Sequence, residues 1–592
     1  MVTFTVVLSA CGGSSNPPPP DALASFKQQK LDWRACDPTI LGFEVAAFET
    51  LGNRARCALM RAPLDYAKPL QGELTVALLK VSAEQPQRRA GLIMFNPGGP
   101  GEDGLSFAPK FGSLWADANP NSPSGKTLKD LSNRYDLVGF SPRGLGASSR
   151  LYCASNELPL PANNVNLDRS ESNIQAILHN TRLEAQACLK NPLTRAINTD
   201  ATARDMDLVR ELAGDERLNY IGYSYGTWLG AWYARLFPER VGRMLLDSSM
   251  NVEASFKDAE QLSAFGFHRI FNEIVAPYAA RHPDWYGLGS DAESIRQAFQ
   301  NLRIDLKGWV LNKMGLNDSK SIGTALIALK AATALQDLIV AQPQASPQEL
   351  LSASESSTFI PDLANDVEVH IAIAALLSSS GPSERQSVLL GPYPAVHLSI
   401  ICNDLPSTND ELFWVNQGNQ DAVRYPGFGG DVTSNHCLHW GGTTVTRPSW
   451  TSTTRLAPIL MLQSRYDGPT PIEGATATLA ALPKASMIVI ENEYSHGLFP
   501  YDDDCADPQV GEYFATGKLP ARTSSCPGKP LLGETTPMTG KANKAAAADR
   551  AIPSAIQQSG PSKANGTYNN PERAAEIMRS IHRQIGQSQS KR

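Results

Sequence analysis

Apolar and polar residues alternate along residues 74–81, the two-residue period of a half-buried strand. Short apolar runs follow at residues 91–95 and 135–140. Each ends in a turn signal, Asn96-Pro97-Gly98-Gly99-Pro100-Gly101 after the first and Ser141-Pro142-Arg143-Gly144 after the second. Between such runs lie stretches of helical period such as residues 201–212. Residues 218–221 read as a strand, then a tight glycine turn, then a helix over 227–237 stopped by Pro238; residues 243–247 read as the next strand. Strands alternating with helices predict an α/β architecture, a mostly parallel sheet flanked by helices. After Ser249 the strand rhythm stops, and residues 251–450 read as helices with polar loops, among them 291–307, 322–341 and 366–378. Strands resume at 458–463 and 486–490. A helical block interrupting an α/β pattern predicts an inserted cap. Beyond about Gly533 the chain is rich in Lys, Ala, Ser, Pro and Gln, which predicts a disordered tail with room for a short helix near 572–585.

The expected organisation is therefore an exported leader over 1–11, a Gly/Ser/Pro-rich tether over 12–30, a core over 31–250, a helical cap over 251–450, the rest of the core over 451–530 and a tail over 531–592. At 592 residues the chain exceeds a single compact core. A net charge of −6 argues against a nucleic-acid partner, which needs a concentrated basic face. The most apolar interior stretch, 324–341, is interrupted by Lys330, Gln336 and Asp337, so no polytopic membrane protein is expected. At the N-terminus a short apolar segment ends in Leu8-Ser9-Ala10-Cys11, which resembles the lipobox of bacterial lipoproteins and makes Cys11 the expected acylation site. A lipid on Cys11 would be the only membrane attachment and would place the protein in the cell envelope; without it the protein would be secreted.

Eight further cysteines remain, an even number that fits disulfides in an oxidising compartment. Pairing in sequence order is the simplest arrangement: Cys36–Cys57, Cys153–Cys188, Cys402–Cys437 and Cys505–Cys526. There is no C-x-x-C, and His436-Cys437-Leu438-His439 is read as a disulfide cysteine beside surface histidines rather than a metal site.

The chemistry concentrates at Gly222-Tyr223-Ser224-Tyr225-Gly226, the only G-x-S-x-G in the chain. Between a strand and a helix this pattern puts a serine on a sharp turn, exposed at the carboxyl end of the sheet. A serine hydroxyl needs a base, and the base needs an orienting acid. Asp467, after the strand at 458–463, and His496, after the strand at 486–490, stand at strand ends in the order Ser, Asp, His. Backbone N–H groups of Tyr225 and of the glycine loop, at Gly98 or Gly99, are the expected oxyanion donors.

Together Asn96–Gly101, Gly139–Ser148, Gly222–Thr227, Leu246-Asp247-Ser248 and Asp467–Pro471 resemble the proline iminopeptidase and tripeptidyl aminopeptidase branch of the α/β-hydrolases. The likeness runs from about Cys36 to Cys526, and Tyr513–Pro520 resembles that branch's TAP-like C-terminal region. Ser141 stands where an aspartate is expected, and the tail after Cys526 lies outside the pattern. The resemblance implies a serine exopeptidase acting on short peptides from a free N-terminus, with no cofactor or metal. Such an enzyme must capture the substrate's ammonium group with a carboxylate, for which Asp404, Glu102 and Glu411 are the candidates. The same triad would also serve an exported carboxylesterase.

Overall fold

A computed structural model describes residues 21–37, 50–314, 319–379, 387–450, 455–535 and 566–590. The leader with Cys11 and the start of the tether lie outside the described residues, as does most of the segment between Gly533 and Gly566.

Nine strands form one sheet: β1 (Ala55–Pro63), β2 (Glu73–Val81), β3 (Gly91–Asn96), β4 (Tyr135–Ser141), β5 (Leu218–Tyr223), β6 (Val241–Asp247), β7 (Leu460–Ser464), β8 (Ser486–Glu491) and β9 (Thr523–Pro527). Their order is β1-β2-β4-β3-β5-β6-β7-β8-β9. Only β2 runs against its neighbours, pairing antiparallel with β1 and β4; the other pairs are parallel. The central parallel strands are buried on both faces, which is why β3, β4 and β5 read as continuous apolar runs. One face carries α1 (Phe107–Ala116), whose Phe107, Phe111 and Trp115 pack on Phe95 and Phe499. The other face carries α2 (Tyr225–Leu236), with Trp228, Leu229 and Trp232 buried.

The two edge strands β1 and β9 are absent from the sequence reading. Leu59 points outward in β1 where a polar residue would mark the alternation, and β9 (Thr-Ser-Ser-Cys-Pro) has no apolar period; each is defined by its partner strand. The helix expected over 291–307 is two, Ala292–Gln300 and Ile304–Lys313.

Residues between β6 and β7 are helical, as the interrupted rhythm predicts, but they do not form a single lobe. Helices from Phe256 to Ser379 enclose their own core, centred on Ser319–Ala341. That helix is long and apolar enough to cross a bilayer by composition, yet Ile322, Leu326, Leu329 and Ala332 are buried in this core. The later part, with α3 (Pro392–Asp404), packs instead onto the hydrolase layer through Val396, Ile400 and Trp440. All four disulfides pair in sequence order.

Of the tail expected over 531–592, residues 536–565 lie outside the described residues; the short helix anticipated near 572–585 is present as α4 (Pro571–Ser590), about one turn longer at its C-terminal end. Its Ala574, Met578, Ile581 and Ile585 recur at helical spacing and are buried against α1 and the sheet. A low average hydrophobicity hid one apolar stripe.

Candidate active site

Ser224 sits between β5 and α2 with φ 55° and ψ −123°, the strained turn that lifts a side chain off the sheet end. The glycines on either side are sterically required. A Cβ on Gly222 would lie 2.5 Å from the Gly226 carbonyl oxygen, and one on Gly226 would lie 2.7 Å from that of Asn96. Ser224 N–H donates to the Asp247 carbonyl at 3.1 Å, tying the turn to the end of β6.

Asp467 and His496, on the loops after β7 and β8, meet in the interior. His496 Nδ1 lies 3.0 and 3.1 Å from the two Asp467 oxygens, and both side chains are fully buried. Thr470 N–H donates to Asp467 Oδ1 at 2.8 Å. His496 Nε2 is buried with no hydrogen-bond partner among the described residues, so its one free nitrogen is unoccupied and no bond joins it to Ser224.

The end of β6 holds the His496 loop, and its Ser248 carbonyl also accepts Thr470 Oγ1 from the Asp467 loop at 2.9 Å. Asp247 accepts backbone N–H groups of Leu498 and Phe499, and Ser248 Oγ accepts that of Gly497 at 2.8 Å. Burial pushes the Asp247 carboxyl up to about 7, opposed by those amides. Neither residue was given a role from sequence; a carboxylate at the carboxyl end of a central strand was the available signal.

The glycine loop lies against the serine. A Cβ on Gly98 would fall 2.6 Å from the Tyr223 carbonyl oxygen and 2.9 Å from Ser224 Cβ, so only glycine permits the approach. Gly98 N–H already donates to Asn96 Oδ1 at 3.1 Å, which removes Gly98 from the expected oxyanion donors. The N–H groups of Gly99 and of Tyr225, the latter in the first turn of α2 where intrahelical acceptors are lacking, remain.

Ser224 opens into a cleft between the hydrolase layer and the insertion. Its walls are mostly apolar, from Trp228, Met250, Leu262, Ile400, Leu405 and Pro471, with Gly99, Tyr225 and Thr470 near the serine. Asp404 is the only carboxylate lining it among the described residues. Asp404 is 2% exposed. Its Oδ1 accepts Thr199 N–H at 3.0 Å, while Oδ2 is buried with no partner among the described residues. Burial, against the Thr199 hydrogen bonds, pushes this carboxyl up to about 7. Its neighbours fix it: Asn403 donates to the Thr194 and Ile197 carbonyls, and Cys402 is bonded to Cys437. The other two acidic candidates are not part of the cleft wall. Glu102 is buried outside it, and Glu411 starts the helix Glu411–Arg424.

Ser141, in place of the expected aspartate, shares its hydroxyl proton between the two oxygens of half-buried Asp103, at 2.8 and 2.9 Å. A second carboxylate there would face the first. Two residues on, Arg143 forms a fully buried bidentate pair with Asp205 at 2.7 and 2.8 Å.

Comparison with known proteins agrees with this architecture. The α/β-hydrolase fold family matches residues 91–310 and the TAP-like protein family residues 425–526. The chain is 25% identical to the tripeptidyl aminopeptidase of Streptomyces lividans over 85% of its own length and 88% of the relative's. It is 27% identical to serine protease Hip1 of Mycobacterium tuberculosis over 80% of its length and 87% of that protein's. Carboxylesterase B of the same species is 26% identical over 80% and 86% of the two chains. The chain is therefore a serine hydrolase of the α/β-hydrolase fold, with a TAP-like region over 425–526 and similarity along most of its length to a tripeptidyl aminopeptidase and a serine protease.

Proposed function

We propose that the protein is an exported serine aminopeptidase that cleaves short peptides near a free N-terminus, releasing di- or tripeptides or a proline-containing unit. The observation that carries this reading is Asp404: one buried, half-partnered carboxylate in an otherwise uncharged cleft shared with Ser224. A lone carboxylate at an apolar site selects a cation, and the cation every unblocked peptide offers is its terminal ammonium.

In this reading Ser224 Oγ attacks the scissile carbonyl while His496 Nε2 takes its proton. Asp467 holds Nδ1–H and stabilises the imidazolium. The N–H groups of Gly99 and Tyr225 receive the oxyanion. His496 then protonates the leaving amine, and water, activated by the same nitrogen, releases the acyl group. The missing Ser224–His496 bond suits a ligand-free site, where such contacts tighten only around substrate. The four disulfides support an oxidising compartment, and acylation of Cys11 would tether the enzyme to a membrane.

The test is hydrolysis of proline-containing di- and tripeptide chromogenic amides with free or acetylated N-termini, with Ser224→Ala as control. Cleavage confined to free amines and abolished in the variant is expected. Turnover of simple esters with no peptide amide cleaved would instead establish a carboxylesterase, the reading favoured by the apolar cleft and the carboxylesterase relative.

A further inference from the structure

The C-terminal helix reaches the back of the proposed catalytic centre. Residues just before it are pinned at the end of α1: Asn119 N–H donates to the Thr567 carbonyl, Asn569 N–H to the Asp117 carbonyl, and Asn570 N–H to Asp117 Oδ2. From there α4 runs along α1 for about 22 Å, at 1.5 Å per residue, to Gln584 and Ile585.

Those two residues each touch a different loop of the site. Gln584 Nε2 donates to the Asp103 carbonyl at 2.6 Å, just beyond the Gly98–Gly101 segment. Its Oε1 accepts Ser106 Oγ and Lys110 Nζ, both at 2.7 Å. Ile585 is fully buried against Gly497, the residue after His496; a Cβ on Gly497 would lie 2.7 Å from Ile585 Cγ2. One helical turn thus braces both the segment bearing the Gly99 amide and the segment bearing the histidine. The family regions end at residue 526, well before it.

We propose that α4 is a positioning strap for catalysis, with Gln584 setting the oxyanion loop and Ile585 setting the His496 loop. This rests on the Ser224–His496–Asp467 reading. Neither residue faces the cleft, so substrate binding is left to other groups. Displacing a reacting group by about 1 Å can cost roughly a hundredfold in rate.

The experiment uses the full chain carrying Gln584→Leu, Ile585→Ala or Ile585→Val. The readouts are kcat and KM on the best free-amine amide, the rate of Ser224 labelling by a fluorophosphonate, and the thermal unfolding midpoint. For Gln584→Leu and Ile585→Ala, kcat and labelling are expected to fall together by roughly tenfold to a hundredfold, with KM unchanged. Ile585→Val is expected to recover most of the loss. Gln584 is only half-buried, so its variant reports even if Ile585→Ala does not fold. Unchanged kcat, a rise in KM alone, or activity that merely follows the folded fraction would overturn the proposal. Undiminished turnover by Ser224→Ala would instead remove the catalytic reading beneath it.

Discussion

Replacing Asp404 by asparagine keeps the shape of the side chain and its bond to Thr199 while deleting the charge. If Oδ2 receives the substrate ammonium, the lost interaction is a charged hydrogen bond of about 1.5–3 kcal/mol, and kcat/KM for free-amine substrates falls roughly tenfold to a hundredfold. The pH profile makes the test sharper. With its carboxyl at about 7, Asp404 goes from about one-tenth ionised at pH 6 to about nine-tenths at pH 8. A peptide α-amino group, with a pKa of about 7.7–8.0, loses its charge over the next interval. The ion pair is therefore most available near pH 7.4, and falls roughly fivefold or more by pH 6 and by pH 9. The quantity to plot is the ratio of wild type to Asp404→Asn at each pH, which cancels every pH effect the two enzymes share. That ratio should trace a bell for free-amine amides and stay flat for acetylated ones. A flat ratio for both, or an equal loss on both substrates, would refute the assignment of Asp404 as the ammonium anchor.

Two further outcomes are expected. Replacing Cys402 and Cys437 together by serine opens a ring of 35 residues, whose closure entropy corresponds to about 4 kcal/mol; because Asp404 lies two residues from Cys402, urea unfolding should shift and KM for free-amine substrates should rise, while acetylated substrates are affected less. Arg143→Met strands the buried Asp205 carboxylate and its Tyr66 partner, which should lower unfolding free energy by about 3–5 kcal/mol, measured by chemical denaturation; Lys at the same position cannot reproduce the two-pronged contact and should recover little of it.

Legibility followed the kind of constraint involved. Ser224, Asp467 and His496 were readable because a strand, a forced glycine turn and two later strand ends each leave a local mark, and the structure places the last two in contact. Choosing among Asp404, Glu102 and Glu411 was beyond the sequence, since what distinguishes Asp404 is an apolar cleft assembled from segments hundreds of residues apart. The same holds for Thr199, whose amide is recognisable as a partner only once α3 lies over it. Gly98 looked equivalent to Gly99 until Asn96 was seen to occupy its N–H. The edge strands escaped because their order comes from partners, β9 being polar along its length; α4 was legible as a short helix, but its packing was not, since it offers four buried residues in a segment of otherwise solvent-loving composition.

The sequential order of the four disulfides bears on how the chain matures. Eight cysteines admit 105 pairings, and the native one joins each odd cysteine to the next along the chain. A polypeptide threaded N-terminus first into an oxidising compartment presents Cys57 to a waiting Cys36 before Cys153 has emerged, and so on down its length. Vectorial delivery alone thus yields the correct set without thiol shuffling. Refolding the whole reduced chain from denaturant forfeits that advantage, because every cysteine then meets every other at once.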